Sequence, residues 1–295
     1  MVYKVLKKVF AFYITVFLIL GLICPNYGLG SSIIYSKNVN DSGIDSLGDF
    51  NINKKGISSS DNKNWTVICY LDGDFYDMEN AMLKHFNDLE LVGSSPRVNV
   101  VAQIDDYGCW GNQTRRYYIE HDEDLDVINS PIVDGDTCEK DMGNPQTLLD
   151  FFNWSVVNYP AENYCLLMSN HGSSFRGVGW DQTNNLDEID MVELKYSMNE
   201  INKLLGKKLD MVIFHACVMG TVEVLYQIKD YVEICIAAQV PCTSSTLSYT
   251  GALQNITENP SLNATDFAEK IINSSGSRAN GNIYHRLFGQ RLNKI

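Results

Sequence analysis

Five short, almost wholly apolar runs recur through the middle of the chain, each closed by a polar, glycine- or proline-containing turn. They are Thr66–Leu71, Val98–Ile104, Asn163–Met168, Leu209–Phe214 and Tyr231–Gln239. A strand without polar alternation has to be covered on both faces, which is the condition of a parallel sheet rather than a half-solvated antiparallel one. Between the runs lie stretches of helical spacing. Asp77–Leu91 carries Met78, Met82, Leu83, Phe86 and Leu89, and Gln146–Val157, Val192–Leu205 and Ala264–Ile272 read the same way. Arg115–Ile119 predicts a short additional strand. The alternation predicts an α/β fold with a mostly parallel central sheet and helices on both faces. Ligands of such sheets bind beyond the C-terminal ends of the strands.

The first 64 residues stand apart. Lys4, Lys7 and Lys8 precede an apolar run from Val9 to Cys24, so residues 1–24 read as a signal peptide or a membrane anchor. The run is shorter than the roughly 20 residues of an ordinary membrane-spanning helix. Residues 25–64, rich in Ser, Asn, Gly and Asp, read as a flexible spacer. The expected location is secreted or extracytoplasmic, with residues 9–24 as the one candidate membrane attachment, and the globular domain is expected over 65–295. The formal net charge of −13 argues against a nucleic-acid partner and supplies no basic membrane-binding patch. Eight cysteines would permit disulfides in an exported chain. No CxxC or Cys/His spacing suggests zinc. Cys69, Cys165 and Cys235 lie in apolar runs and read as core, whereas Cys109, Cys138 and Cys242 fall in loops. No glycine pattern of a nucleotide-binding loop is present.

Chemistry-bearing residues gather at the expected strand ends. Ser169-Asn170-His171-Gly172-Ser173 follows the third main run, and Phe214-His215-Ala216-Cys217-Val218-Met219-Gly220 follows the fourth. A thiol attacks as its thiolate, and a neighbouring imidazole can take the proton or balance the charge. His171 and Cys217 are therefore candidate catalytic residues, and the Gly172 N–H could help hold an oxyanion. His215 shares the strand face of Cys217 and competes with His171 as the base. Asp72 and Asp74, together with Asp105 and Asp106, are candidates for a divalent cation or ordinary strand-ending turns.

With those residues singled out, the chain resembles the clostripain family of cysteine peptidases, which share the caspase-like fold. The resemblance rests on Trp65-Thr66-Val67-Ile68-Cys69-Tyr70-Leu71-Asp72-Gly73-Asp74, on Asn170-His171-Gly172-Ser173 with Arg176-Gly177-Val178-Gly179-Trp180-Asp181, and on Ala216-Cys217-Val218-Met219-Gly220. It implies a caspase-like three-layer fold, and it leaves truncation at the C-terminus open, because after Ser275 only a polar tail is expected. The implied activity is endopeptidase cleavage of peptide or protein substrates through a Cys217–His171 dyad and a thioester. Gly172 and Cys217 are the implied oxyanion donors. No cofactor is implied as required, although calcium promotes activity in some members. Members typically cleave after Arg or Lys. Here His215 stands where the family usually has Asp, and Ala238-Gln239 where it usually has Ser-Glu. His215 and Gln239 are thus the candidate substrate-binding positions, without the carboxylates a basic side chain would pair with. These departures raise a catalytically inactive, peptidase-like binding protein as the alternative.

Overall fold

The structure, a computed structural model, describes residues 63–108, 111, 113–134, 138–276 and 287–291. The expected signal or anchor over 1–24 and nearly all of the expected spacer lie outside the described residues. Strand β1 (Lys63–Gly73) is followed by α1 (Glu79–Glu90), β2 (Val98–Asp106), β3 (Arg115–Tyr118), α2 (Pro145–Asn158) and β4 (Ala161–Ser169). Then come β5 (Gly177–Asp181), β6 (Asp187–Asp190), α3 (Met191–Leu205), β7 (Leu209–His215) and α4 (Val222–Ile228). The last elements are β8 (Val232–Ala238), α5 (Tyr249–Glu258), α6 (Ala264–Gly276) and β9 (Leu287–Arg291).

A seven-stranded sheet has the order β3-β2-β1-β4-β7-β8-β9. Its five central strands are parallel, and β3 and β9 run antiparallel at the two edges. The side chains of β1 explain the layering. Ile68 and Tyr70 point into one core with Leu148, Phe151 and Phe152 of α2, Leu194, Met198 and Ile201 of α3, and Val224 and Ile228 of α4. Trp65, Val67, Cys69 and Leu71 point into the other with Met82, Phe86 and Leu89 of α1, Leu253 and Ile256 of α5, and Phe267 and Ile271 of α6. Each large apolar side chain so buried contributes roughly 1.5–3 kcal/mol, so continuous apolar strands become the middle of three layers. This is the expected α/β architecture.

The structure adds four features to the expected architecture. β1 starts at Lys63, inside the segment read as spacer, because the Lys63 ammonium donates to the Ser95 carbonyl at 2.9 Å and the Tyr118 hydroxyl at 3.0 Å. The polar loop after His171 contains the hairpin β5–β6, whose inward residues Val178 and Ile189 are buried. Helix α5 is an addition, capped by the Ser248 side chain accepting from Gly251 N–H. The polar tail supplies β9, which pairs with β8 from Ile234↔Arg291 to Ala238↔Leu287, so β8 is not a sheet edge. Among the described residues no helix is long and apolar enough to cross a membrane.

Candidate active site

The register of β4 with β7 places the two candidate catalytic residues. Ser169 pairs with His215, and His171 and Cys217 each follow two residues later. They leave neighbouring strands, about 4.8 Å apart, at the same level of the C-terminal rim. The loops behind them touch. A Cβ on Gly172 would lie 2.5 Å from the Cys217 carbonyl oxygen and 2.9 Å from Ala216 Cβ and Met219 Cγ. Glycine is therefore the residue that lets the His171 loop close on the Cys217 loop. Gly172 also forms an isolated antiparallel bridge with Val178. Its hydrogen bonds are donated by Ser173 N–H to Gly177 and by Gly179 N–H to His171, each at 3.0 Å, so the Gly172 N–H is not used in it.

Buried Asn170 holds the base of the His171 loop. Its amide donates to the Asp72 carbonyl at 2.8 Å, and its side-chain oxygen accepts from Trp180 N–H at 2.9 Å and His171 N–H at 2.5 Å. The His171 ring is framed by Phe75, edge-on with centroids 4.9 Å apart, and by Trp180 at 5.8 Å. Its Nε2 lies 3.0 Å from Asp77 Oδ1. A carboxylate only accepts, so Nε2 is the donor in this pair, and in the neutral ring Nδ1 carries the lone pair.

Cys217 is partly buried. The turn behind it is strained, because Val218 adopts φ +54°, a left-handed conformation that costs a β-branched residue on the order of 1–3 kcal/mol. Two hydrogen bonds to the end of β8 hold that turn, from Val218 N–H to the Val240 carbonyl at 3.3 Å and from Gly220 N–H to the Ala238 carbonyl at 2.8 Å. The Cys217 sulfur accepts the Cys242 N–H at 3.3 Å, and its S–H reaches the Cys242 carbonyl at 3.5 Å. The loop after β8 thus rests against the sulfur.

The sequence profile described as the Clostripain family matches residues 52–292. The chain belongs to the clostripain family. Clostripain from Hathewaya histolytica is 29% identical over 242 residues, covering 73% of this chain and 45% of that protein. Among solved structures, a secreted C11 cysteine protease from Bacteroides thetaiotaomicron, in complex with an irreversible peptide inhibitor, superposes with a TM-score of 0.58 at 17% identity. That match covers 73% of this chain and 59% of the other. An inactive zymogen C11 protease from Parabacteroides distasonis gives a TM-score of 0.55 at 13% identity, covering 75% and 61%. These two likenesses show the shared caspase-like fold. The chain spans less than half the length of the matched clostripain and about three-fifths of each solved protease.

At the position where the clostripain family usually has Asp, His215 is buried, and both its ring nitrogens have partners. Nε2 donates to the Thr243 carbonyl at 3.0 Å, so Nδ1 accepts from the Tyr249 hydroxyl at 2.9 Å. Burial pushes its pKa down to about 4, against the opposing pull of the Thr243 carbonyl. His85 lies against it with ring centroids 4.8 Å apart, bonds the Ser244 carbonyl at 2.9 Å, and is pushed down to about 3, chiefly by burial. Two neutral imidazoles therefore lie below the Cys217 loop. Gln239 is exposed at the end of β8.

The acidic residues divide differently from the sequence expectation. Asp74, Asp105, Glu139 and Asp181 each offer a carboxylate oxygen, all within 4.8 Å of one another. Asp72 lies beside this group, its Oδ1 accepting Asp74 N–H at 3.2 Å. The Oδ1 of Asp74 and the Oδ2 of Asp105 are buried without a hydrogen-bond partner. Burial, with neighbouring carboxylates adding to it, raises Asp74 to about 7 and Asp105 to about 8, against hydrogen bonds from Thr183 and Thr114 respectively. Orphaned oxygens among hard oxygen donors fit a calcium ion. Glu139 and Asp181 were not among the expected metal residues, because Glu139 comes from a loop and Asp181 from the end of β5, both far from Asp74 and Asp105 in sequence.

Proposed function

We propose that this chain is a cysteine endopeptidase that hydrolyses peptide bonds with Cys217 as nucleophile and His171 as its acid–base partner. The observation carrying this reading is the register that brings His171 and Cys217 off adjacent strands, with Gly172 packed on the Cys217 carbonyl. The Cys217 proton passes to Nδ1 of His171 as the sulfur attacks the substrate carbonyl. The Gly172 and Cys217 N–H groups stabilise the resulting oxyanion. His171 then protonates the leaving amine, and the C–N bond breaks to give a thioester. Water attacks that thioester as His171 takes its proton, releasing the acid and restoring the thiol. Asp77, Phe75 and Trp180 fix the ring and its tautomer.

The specificity pocket draws no charge from His215, and Gln239 supplies an amide where a carboxylate is usual. Cleavage of a diverse peptide library by the purified chain, beside Cys217→Ala, is the test. The expected products show no enrichment of Arg or Lys at the cleaved end. Strong basic enrichment would overturn the specificity assignment, and equal cleavage by Cys217→Ala would overturn the mechanism. The basic and apolar N-terminal segment, with a matched structural relative described as secreted, supports a secreted or extracytoplasmic location.

No ion is required for the chemistry. Asp74, Asp105, Glu139 and Asp181 would hold calcium, which would supply charge balance to the buried carboxylates. Asp74 directly precedes Phe75, and Asp181 directly follows Trp180, so the ion would also steady the frame of His171. Without it, the pH dependence has a definite sign. Folded Asp74 and Asp105 retain protons that the unfolded chain releases above about pH 4, so stability falls as pH rises toward 7–8. In chelator, thermal unfolding should therefore shift downward between pH 5 and pH 8. Calcium at a hundredfold its Kd should raise the midpoint by roughly 5–11 °C at pH 8 and by less at pH 5. An equal effect at both pH values, or none, would contradict the assignment.

A further inference from the structure

We propose that Cys242 is a resolving cysteine that forms a reversible disulfide with Cys217 and so shuts off and protects the nucleophile under oxidising conditions. The disulfide stands on the geometry of the two thiols, and its consequence for activity rests on the reading of Cys217 as nucleophile. Both residues are reduced and partly exposed in this structure, whereas Cys69, Cys165 and Cys235 are buried at 0–1% exposure beyond the reach of a solute. The backbone N and O of Cys242 lie 3.3 and 3.5 Å from the Cys217 sulfur, so the Cys242 backbone packs directly on that sulfur. An S–S bond of about 2.05 Å therefore needs side-chain approach across an existing contact, not the joining of separate elements.

The loop is held for this approach. Pro241 precedes Cys242 with a restricted φ. On its other side Thr243 N–H donates to Thr246 Oγ1 at 2.9 Å, and the Thr243 carbonyl accepts both Thr246 N–H at 2.9 Å and His215 Nε2–H at 3.0 Å. The contact with Cys217 and burial both hold Cys242 as the protonated thiol. The Cys242 N–H donates to the Cys217 sulfur, and an N–H donor there favours attack by Cys217 as the first step.

With a low-molecular-weight disulfide RSSR as oxidant, the Cys217 thiolate attacks one sulfur, forming Cys217–S–S–R and expelling RS⁻. Cys242 gives up its proton and attacks the Cys217 sulfur, forming the protein disulfide and expelling the second RS⁻. Two protein thiols are oxidised by two electrons, and RSSR is reduced to two RSH. A thiolate reductant reverses both steps.

The test uses the full chain and oxidised glutathione as the probe, read by peptide mass mapping and by peptide cleavage. The wild-type chain should yield a Cys217–Cys242 cross-link two hydrogens lighter than the paired thiols. Cleavage should be lost in step with it and recovered with dithiothreitol. Cys242→Ser should remain active under reducing conditions and instead accumulate a glutathione adduct on Cys217. Accumulation of that adduct in the wild-type chain, with Cys242 still open to alkylation, would overturn the proposal. A cross-link in a chain that cleaves nothing supports the disulfide and counts against the peptidase reading alone. Cleavage without any cross-link does the reverse.

Discussion

Replacing Cys217 by alanine is expected to lower kcat/KM for peptide cleavage by at least about 10⁴-fold, because the thioester forms on its sulfur and nucleophile knockouts reach about 10⁶. The fold should survive. The side chain is small and partly buried, and its contacts are to Cys242, so the stability change should stay within about 1 kcal/mol. His171→Ala should also fall by a large factor, on the order of 10²–10⁴ for a positioned acid–base group. The double variant should be no worse than Cys217→Ala, because the two residues act as a unit. A further loss in the double variant would mean that His171 serves something other than the cysteine.

Gly172→Ala carries the second large effect, with a physically different origin. The added Cβ would lie 2.5 Å from the Cys217 carbonyl oxygen, and that neighbour is backbone rather than a side chain free to turn away. One of the two loops must then shift. Overpacking of this kind costs about 1–3 kcal/mol, or roughly 2–12 °C in the unfolding midpoint. A displacement near 1 Å between reacting groups costs about 10²-fold in rate. The expected variant is folded, less stable, and at least about 10²-fold slower, with the loss in kcat rather than KM. Unchanged kinetics would show that the close approach of the loops does not position the chemistry.

How much of this was legible depends on where each residue gets its information. The five parallel strands announced themselves because burial on both faces leaves no polar alternation, and β4 and β7 carried His171 and Cys217 to one rim as that pattern implied. Hairpin β5–β6 was hidden because Val178 and Ile189 are its buried aliphatic residues, and the glycines and carboxylates around them read as loop. Helix α5 had Tyr249, Ala252, Leu253 and Ile256 on one face, a 3-4 spacing masked by the intervening Thr, Gly, Gln and Asn. The partners of the site were harder still. Asp77, Phe75 and Trp180 reach His171, and Cys242 reaches Cys217, through tertiary packing of loops and strand β5 that no local period encodes. The cation cluster is the same case, since Asp105 pairs with Asp72 across β2 and β1 and Asp74 directly follows β1, while Glu139 and Asp181 come from elsewhere.

The most direct test of Cys217 as a nucleophile activated by His171 is covalent labelling with a peptide carrying a thiol-reactive electrophile in place of the cleaved bond. The intact mass and the labelled residue are then read in the wild-type chain and in His171→Ala. One adduct per chain is expected, on Cys217, formed far more slowly when His171 is removed. Labelling that falls on Cys242 or Cys138, or that proceeds on Cys217 at the same rate without His171, would contradict it.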